Sequence, residues 1–262
     1  MKLKILFLFL LLMTGSFSNN LIYGQSSSTG NELVLLSQSF LKAMQKQENG
    51  DLYVDKYKAL TDQKITAALD TDAKKYAFWL NTYNAFIQYH LQKKPEYYDD
   101  RGSFFKLPLN NIAGVEMSFA EIEHGILRRS QLELFLGYLT NPFASKREKN
   151  LRVNKRDYRI HFSLNCGAKS CPPVAIYGDT NLDQQLDFMS KKFLDKFSSY
   201  NKEENLVTTT SLFSWFRGDF DGSEGIRKIL KKYEVINDTD VRVKTEKYDW
   251  TLALDNFIEL PY

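Results

Sequence analysis

Both cysteines of this 262-residue chain, Cys166 and Cys171, and one of its three histidines, His161, fall inside the single segment DYRIHFSLNCGAKSCPP, residues 157–173. A thiol attacks as its thiolate, and near neutral pH that form needs a base or a cation beside it. Gly167 follows Cys166 directly and can adopt backbone angles closed to other residues, which suits a turn that presents the preceding thiol. His161 and His124 are the candidate bases. Residues 158–164 read as a strand, and the five-residue offset then sends His161 and Cys166 to opposite faces. His124, arriving from a separate helix, escapes that objection and is the favoured base, with His161 the alternative.

The segment EIEHGILR places Glu121, His124 and Arg128 at i, i+3 and i+7, one face of an α-helix. On that geometry Glu121 would orient His124 and raise its basicity, while Arg128 could hold an anionic substrate group. The competing reading is an exposed charged stripe. In FWLNTYNAF, Asn81 and Asn84 interrupt an apolar helix, and a buried amide without partners costs on the order of 1–3 kcal/mol. Facing a cleft, Asn81 or the backbone amides after Cys166 would donate to a developing oxyanion. Asn84 and Asn165 are candidate binding residues, although Asn84 is better read as tying its helix to neighbouring backbone.

Three chemistries compete for the same residues. The first is a cysteine-dependent hydrolase or acyltransferase with Cys166 as nucleophile. The second is a non-catalytic ligand- or protein-binding domain in which Cys166 and Cys171 form a disulfide, as an even cysteine count in an oxidising compartment encourages. The third is a zinc site built from His161, Cys166 and Cys171, with His124 as a further candidate ligand, and it is the weakest because the spacing lacks the compact C-x2-C knuckle. No metal ligand set is therefore assigned. No phosphate-binding loop and no G-x-G-x-x-G motif occurs, so no cofactor is expected.

The elements that must position these residues are mostly helical. Leu33, Leu36, Phe40 and Ala43 recur at helical spacing over 32–46, a polar helix is expected over 58–69, and the strongest helix runs over 73–92. That last helix is apolar on most sides, which implies burial. A single strand is expected over 112–117. Ser118 and Glu121 then form an S-x-x-E capping box that opens a helix reaching Arg129. Asn181 is expected to cap a helix over 182–197. Beyond it come a strand over 206–210, an aromatic segment over 213–220, a helix over 223–233 and a strand over 241–247. The sum is an α+β fold, a helix-rich single domain over 32–262 with a small, mostly antiparallel sheet.

Residues 1–24 combine Lys2 and Lys4 with an apolar run from Ile5 to Met13 and a small polar stretch, the layout of a secretory signal peptide. Residues 25–31 read as a flexible leader. Removing residues 1–24 takes away two lysines and no acids, lowering the formal net charge from +3 to +1. The expected location is periplasmic or extracellular, with no membrane span after signal removal. Seven basic residues crowd 146–159, but without interleaved aromatics and with a near-neutral remainder they read as a solvated loop rather than a nucleic-acid surface. The expected partner is an unidentified small molecule or peptide. Trp215 and Trp250 read as core or cleft-wall residues.

Four segments together, FWLNTYNAF at 78–86, EIEHGILR at 121–128, RIHFSLNCGAKSCPP at 159–173 and FSWFRGDF at 213–220, resemble the family catalogued as domain of unknown function 547 (DUF547). Their order and spacing cover roughly residues 70 to 222. The resemblance implies no assigned activity. It directs attention to a cleft formed by the first three segments.

Overall fold

Asn31 and Thr71 open the two helices that build the main core. The Asn31 side chain accepts hydrogen bonds from the backbone N–H groups of Leu33 and Val34, and the Thr71 hydroxyl accepts one from Lys74, satisfying donors that a helix start leaves free. The computed structural model describes residues 31–261, so the expected signal peptide and most of the leader lie outside the described residues. Helices α1 (Glu32–Gln45), α2 (Asp51–Lys58), α3 (Asp62–Ala68) and α4 (Asp72–Lys93) come first, followed by the short α5 (Arg101–Phe104). After a β-hairpin and a π-helix come α6 (Lys146–Leu151), α7 (Leu182–Phe197), α8 (Leu212–Trp215) and α9 (Gly222–Lys232). The protein is about 49% helical, and two small sheets complete an α+β fold.

Helix α4 is the centre of the larger apolar cluster. Phe78, Trp79, Leu80, Phe86 and Ile87 are all fully buried, with α1 packed along the same helix. Burying a large apolar side chain contributes about 1.5–3 kcal/mol, so this helix is held by tertiary packing. The second cluster joins Phe193 and Leu194 of α7, Phe213 of α8 and Leu230 of α9 to Val207 of a three-stranded sheet. Its sheet pairs β3 (Ser199–Asn201) antiparallel with β4 (Leu206–Thr209), and β4 parallel with β5 (Arg242–Thr245). The mostly antiparallel expectation is met by the two antiparallel pairings, with one parallel pairing alongside.

Several local expectations are corrected. Residues 112–117 are not one strand but the end of a hairpin, β1 (Asn110–Ile112) and β2 (Val115–Met117), turned by Ala113 and Gly114 at φ +58° and +75°. Two successive positive φ values are what a tight two-residue hairpin demands. Residues 158–162 form a 3-10 helix, not a strand. Asp157 starts it by accepting from the Arg159 N–H, and Ile160, His161 and Phe162 are all buried, a consecutive run incompatible with one-face alternation. Helix α2 escapes the periodicity because Tyr57 is its one buried residue. The polar helix expected over 58–69 is α3, with its own Thr61 cap.

Candidate functional site

The capping box forms as its residue types require. The Glu121 carboxylate accepts from the Ser118 N–H at 2.7 Å, and the Glu121 N–H donates to Ser118 Oγ at 3.1 Å. The segment it opens is, however, a π-helix over Glu121–Leu127. The Arg128 N–H bonds the Glu123 carbonyl at 2.8 Å, five residues back. The wider turn changes which side chains meet. Glu121 is exposed and occupied by its cap, so it does not orient His124, and the i, i+3, i+7 face is not formed. Glu123 takes the inward place, its Oε1 3.8 Å from His124 Nδ1 and its Oε2 accepting from the Tyr83 hydroxyl at 3.4 Å.

Arg128 is only 1% exposed. Its Nε donates to Asp219 Oδ2 at 2.6 Å and its Nη1 to His124 Nδ1 at 2.7 Å, while the guanidinium lies 4.6 Å from the Phe216 ring centre. Arg128 is therefore committed to internal partners instead of an incoming anion. An arginine has no lone pair to offer, so His124 Nδ1 is the acceptor and its proton sits on Nε2. Burial, and then the Arg128 charge, bring the His124 pKa down to about 4, so the ring is neutral at neutral pH.

The carboxylate–histidine pair expected between Glu121 and His124 exists elsewhere. His161 Nε2 donates to Asp219 Oδ2 at 2.8 Å, and its ring stacks 4.0 Å from Phe216. Its Nδ1 keeps the lone pair. Burial lowers the His161 pKa, against the opposing pull of Asp219. Asp219 also accepts from Arg156 Nη1 at 3.0 Å. Burial alone would raise its pKa, but the hydrogen bonds from His161 and Arg128 and the Arg128 charge overcome that and bring it to about 2. Glu123 shows the reverse balance: burial raises it despite Arg128 and His161.

Glu123, His124 and His161 line a cavity of about 360 Å³ together with Cys166, Cys171 and an aromatic wall of Phe105, Trp215, Phe216, Tyr248 and Trp250, while Arg128 and Asp219 lie outside its lining. Trp215 stacks on Trp250 at 5.6 Å, and Tyr248 lies 4.7 Å from Trp250. The cleft-wall alternative for both tryptophans is the one realised. Cys166 and Cys171 are joined in a disulfide. Gly167 turns the chain at φ +87°, where an added Cβ would also crowd Leu91. The Cys166 N–H and the Tyr248 hydroxyl donate to Cys171 Sγ at 3.0 and 3.3 Å. In this oxidised chain neither sulfur is a free nucleophile, and among the described residues no group of three His, Cys, Asp or Glu side chains is arranged to hold a metal ion.

The three asparagines hold the site's frame. Asn81 is fully buried, donates to the Tyr177 carbonyl at 2.8 Å and accepts from the Tyr177 N–H at 2.8 Å, so it does not face the cavity as an oxyanion donor. Asn84 donates to the Ser163 carbonyl and accepts from the Asn165 N–H, fastening α4 to the cysteine turn. Asn165 spans that turn, donating to the Pro172 carbonyl at 2.7 Å and accepting from the Gly167 N–H at 2.8 Å. Sequence reasoning missed Asp219, Glu123 and Tyr248. Asp219 had a signal, as the one acid within the aromatic stretch FSWFRGDF.

No curated protein and no solved structure matches the chain. Residues 66–194 match the model of the family described as Protein of unknown function, DUF547. That span carries Glu123, His124, Arg128, His161 and the disulfide, while Asp219 and four residues of the aromatic wall, Trp215, Phe216, Tyr248 and Trp250, lie beyond it. Over that span the chain is similar to the DUF547 family.

Proposed function

We propose that the cavity binds a small organic ligand carrying a flat or ring-shaped body and a neutral hydrogen-bonding group, in a chain exported to an oxidising compartment. The carrying observation is the pairing of an aromatic wall with a floor whose charges are internally spent. On the lining Lys106 pairs with Glu133, Glu123 accepts from Tyr83 and His124 is neutral, and behind it Asp219 is matched by Arg128 and Arg156. Such a floor favours an amide, hydroxyl or ester over an ion, and the wall supplies stacking area.

The test is a screen of ring-bearing amides and polyols by quenching of tryptophan fluorescence. Hits should lose at least tenfold in affinity in Trp215→Ala and Trp250→Ala. Hits that bind these variants as well as the parent refute the assignment.

A second reading has one specific observation in its favour: both sulfurs line the same cavity as His124 and His161. A thiol-dependent hydrolase or acyltransferase would then belong to the reduced chain, with Cys166 as nucleophile and His161 Nδ1 as base. Hydrolysis of an activated ester that appears only after reduction, and disappears in Cys166→Ser, supports it. Equal rates before and after reduction exclude it.

A further inference from the structure

Ten large apolar side chains are exposed among the described residues, and six of them fall within 134–143. Leu134 and Phe143 are 87% and 90% exposed, and Phe135, Leu136, Tyr138 and Leu139 accompany them. Apolar side chains scattered singly need no explanation, but a contiguous patch of this kind marks an interaction surface.

The patch is presented by a fixed loop. Gln131 bridges to Thr140, and the Leu132 N–H donates to the Leu139 carbonyl at 2.9 Å, closing the base. The Gly218 N–H donates to the Leu136 carbonyl at 2.7 Å, and Arg156 Nη1 donates to the Gly137 carbonyl at 3.0 Å. Gly137 itself sits at φ +87° where any side chain would collide with the Asp219 carboxylate. The buried network under the cavity thus holds the loop in place and turns its apolar side chains outward.

The unpaired charge beside the patch is mainly basic. Residues 134–147 contain no Asp or Glu. Glu133, just before them, is paired with Lys106 at 3.7 Å. Lys146 follows Phe143 by three residues and Arg217 adjoins Gly218; both are exposed, and neither has an ion-pair partner among the described residues. Apolar side chains that can sink to the acyl boundary, flanked by two exposed unpaired cations against one exposed carboxylate, Asp221, complement a layer of anionic headgroups. We infer that the 134–143 loop docks this protein onto an anionic phospholipid surface, with Lys146 and Arg217 against the headgroups. The inference is independent of what the cavity binds.

The test is sedimentation of the full chain with vesicles of phosphatidylcholine and phosphatidylglycerol at 3:1, and with phosphatidylcholine alone. The parent should bind the anionic vesicles at least tenfold better, and raising salt from about 0.1 to about 0.5 M should weaken binding severalfold. Leu134→Ser combined with Phe143→Ser should lose at least tenfold, with an unchanged melting temperature because both side chains are exposed. Parent and variant share residues 1–30, so the difference reports the loop. Phe143→Trp should gain a fluorescence component quenched by bromine-labelled acyl chains.

Equal vesicle binding by parent and double variant, or an unquenched Trp at 143, overturns the proposal. So does concentration-dependent self-association that the double variant abolishes without any vesicle binding, since the patch would then be a protein interface.

Discussion

Replacing Asp219 with Asn tests the site at its most connected point. One carboxylate receives Arg128 Nε at 2.6 Å, His161 Nε2 at 2.8 Å and Arg156 Nη1 at 3.0 Å. The amide keeps the shape, removes the charge and turns an NH2 group toward at least one of these donors. Arg128, buried, then loses its ionised partner and keeps neutral His124 beside it. Stranding one member of a buried ion pair costs about 3–5 kcal/mol. For a domain of this size each kcal/mol moves the melting temperature by about 2–4 °C, so Asp219→Asn should lower it by roughly 6–20 °C.

The same residue sets a pH signature. A carboxyl whose folded pKa is about 2 against a reference of 3.8 stabilises the fold above about pH 4. That contribution, about 2 kcal/mol, is lost as pH falls through the folded value. The variant should lack this acid component between about pH 4 and 2. Thermal and urea unfolding followed by circular dichroism across that range would measure both effects. A loss below about 1 kcal/mol with an unaltered acid limb would refute the hub. Adding Arg128→Met to Asp219→Asn should recover part of the loss, whereas strictly additive losses would deny coupling between the two.

Burial holds His90 and His124 at about 4, below their usual 6.5, so the unfolded chain takes up more protons than the folded one below about pH 6.5. Stability should therefore fall as pH drops from about 6.5 to 4, by up to about 3 kcal/mol for each ring, and replacing either with Gln should flatten that limb of a melting-temperature profile. Asn81→Ala strands the backbone N–H and carbonyl of Tyr177 and should cost about 2–4 kcal/mol in urea unfolding while leaving ligand affinity in the surviving folded protein unchanged. Glu121→Ala removes a capping-box acceptor and should cost about 1 kcal/mol without altering the His124 titration followed by NMR. Serine at both Cys166 and Cys171 opens a short covalent loop and should cost about 2 kcal/mol, with ligand binding retained if the disulfide is a frame and not a reagent.

The helices that carry the site were legible where burial imposes a period: α1, α4, α7 and α9 fall within a residue or two of the expected ranges. What failed failed at turns of unusual pitch. The segment 158–162 has strand-like residue types but tightens into a 3-10 helix that buries three successive side chains, so the alternation used to separate His161 from Cys166 does not apply there. Glu121–Leu127 widens instead, and the extra residue per turn replaces Glu121 with Glu123 beside His124. Capping was readable in the same segment because it depends on a contact spanning three residues.

The central carboxylate could not be reached in that way. Asp219 lies 91 residues from Arg128 and 58 from His161, and no local period connects them. Its recruitment follows from burial: once the π-helix directs Arg128 inward and the 3-10 turn directs His161 inward, two polar groups are stranded in an apolar setting and require a shared acceptor. Asp219 satisfies both, and Gly137 and Gly218 let the backbone pass close enough for it to do so. The network that fixes the cavity floor therefore also fixes the base of the 134–143 loop. Loss of the Asp219 charge should loosen both together, so hydrogen exchange at the Leu139-bonded Leu132 amide should accelerate in Asp219→Asn, while exchange within α1, remote from the network, should show only the global loss of stability.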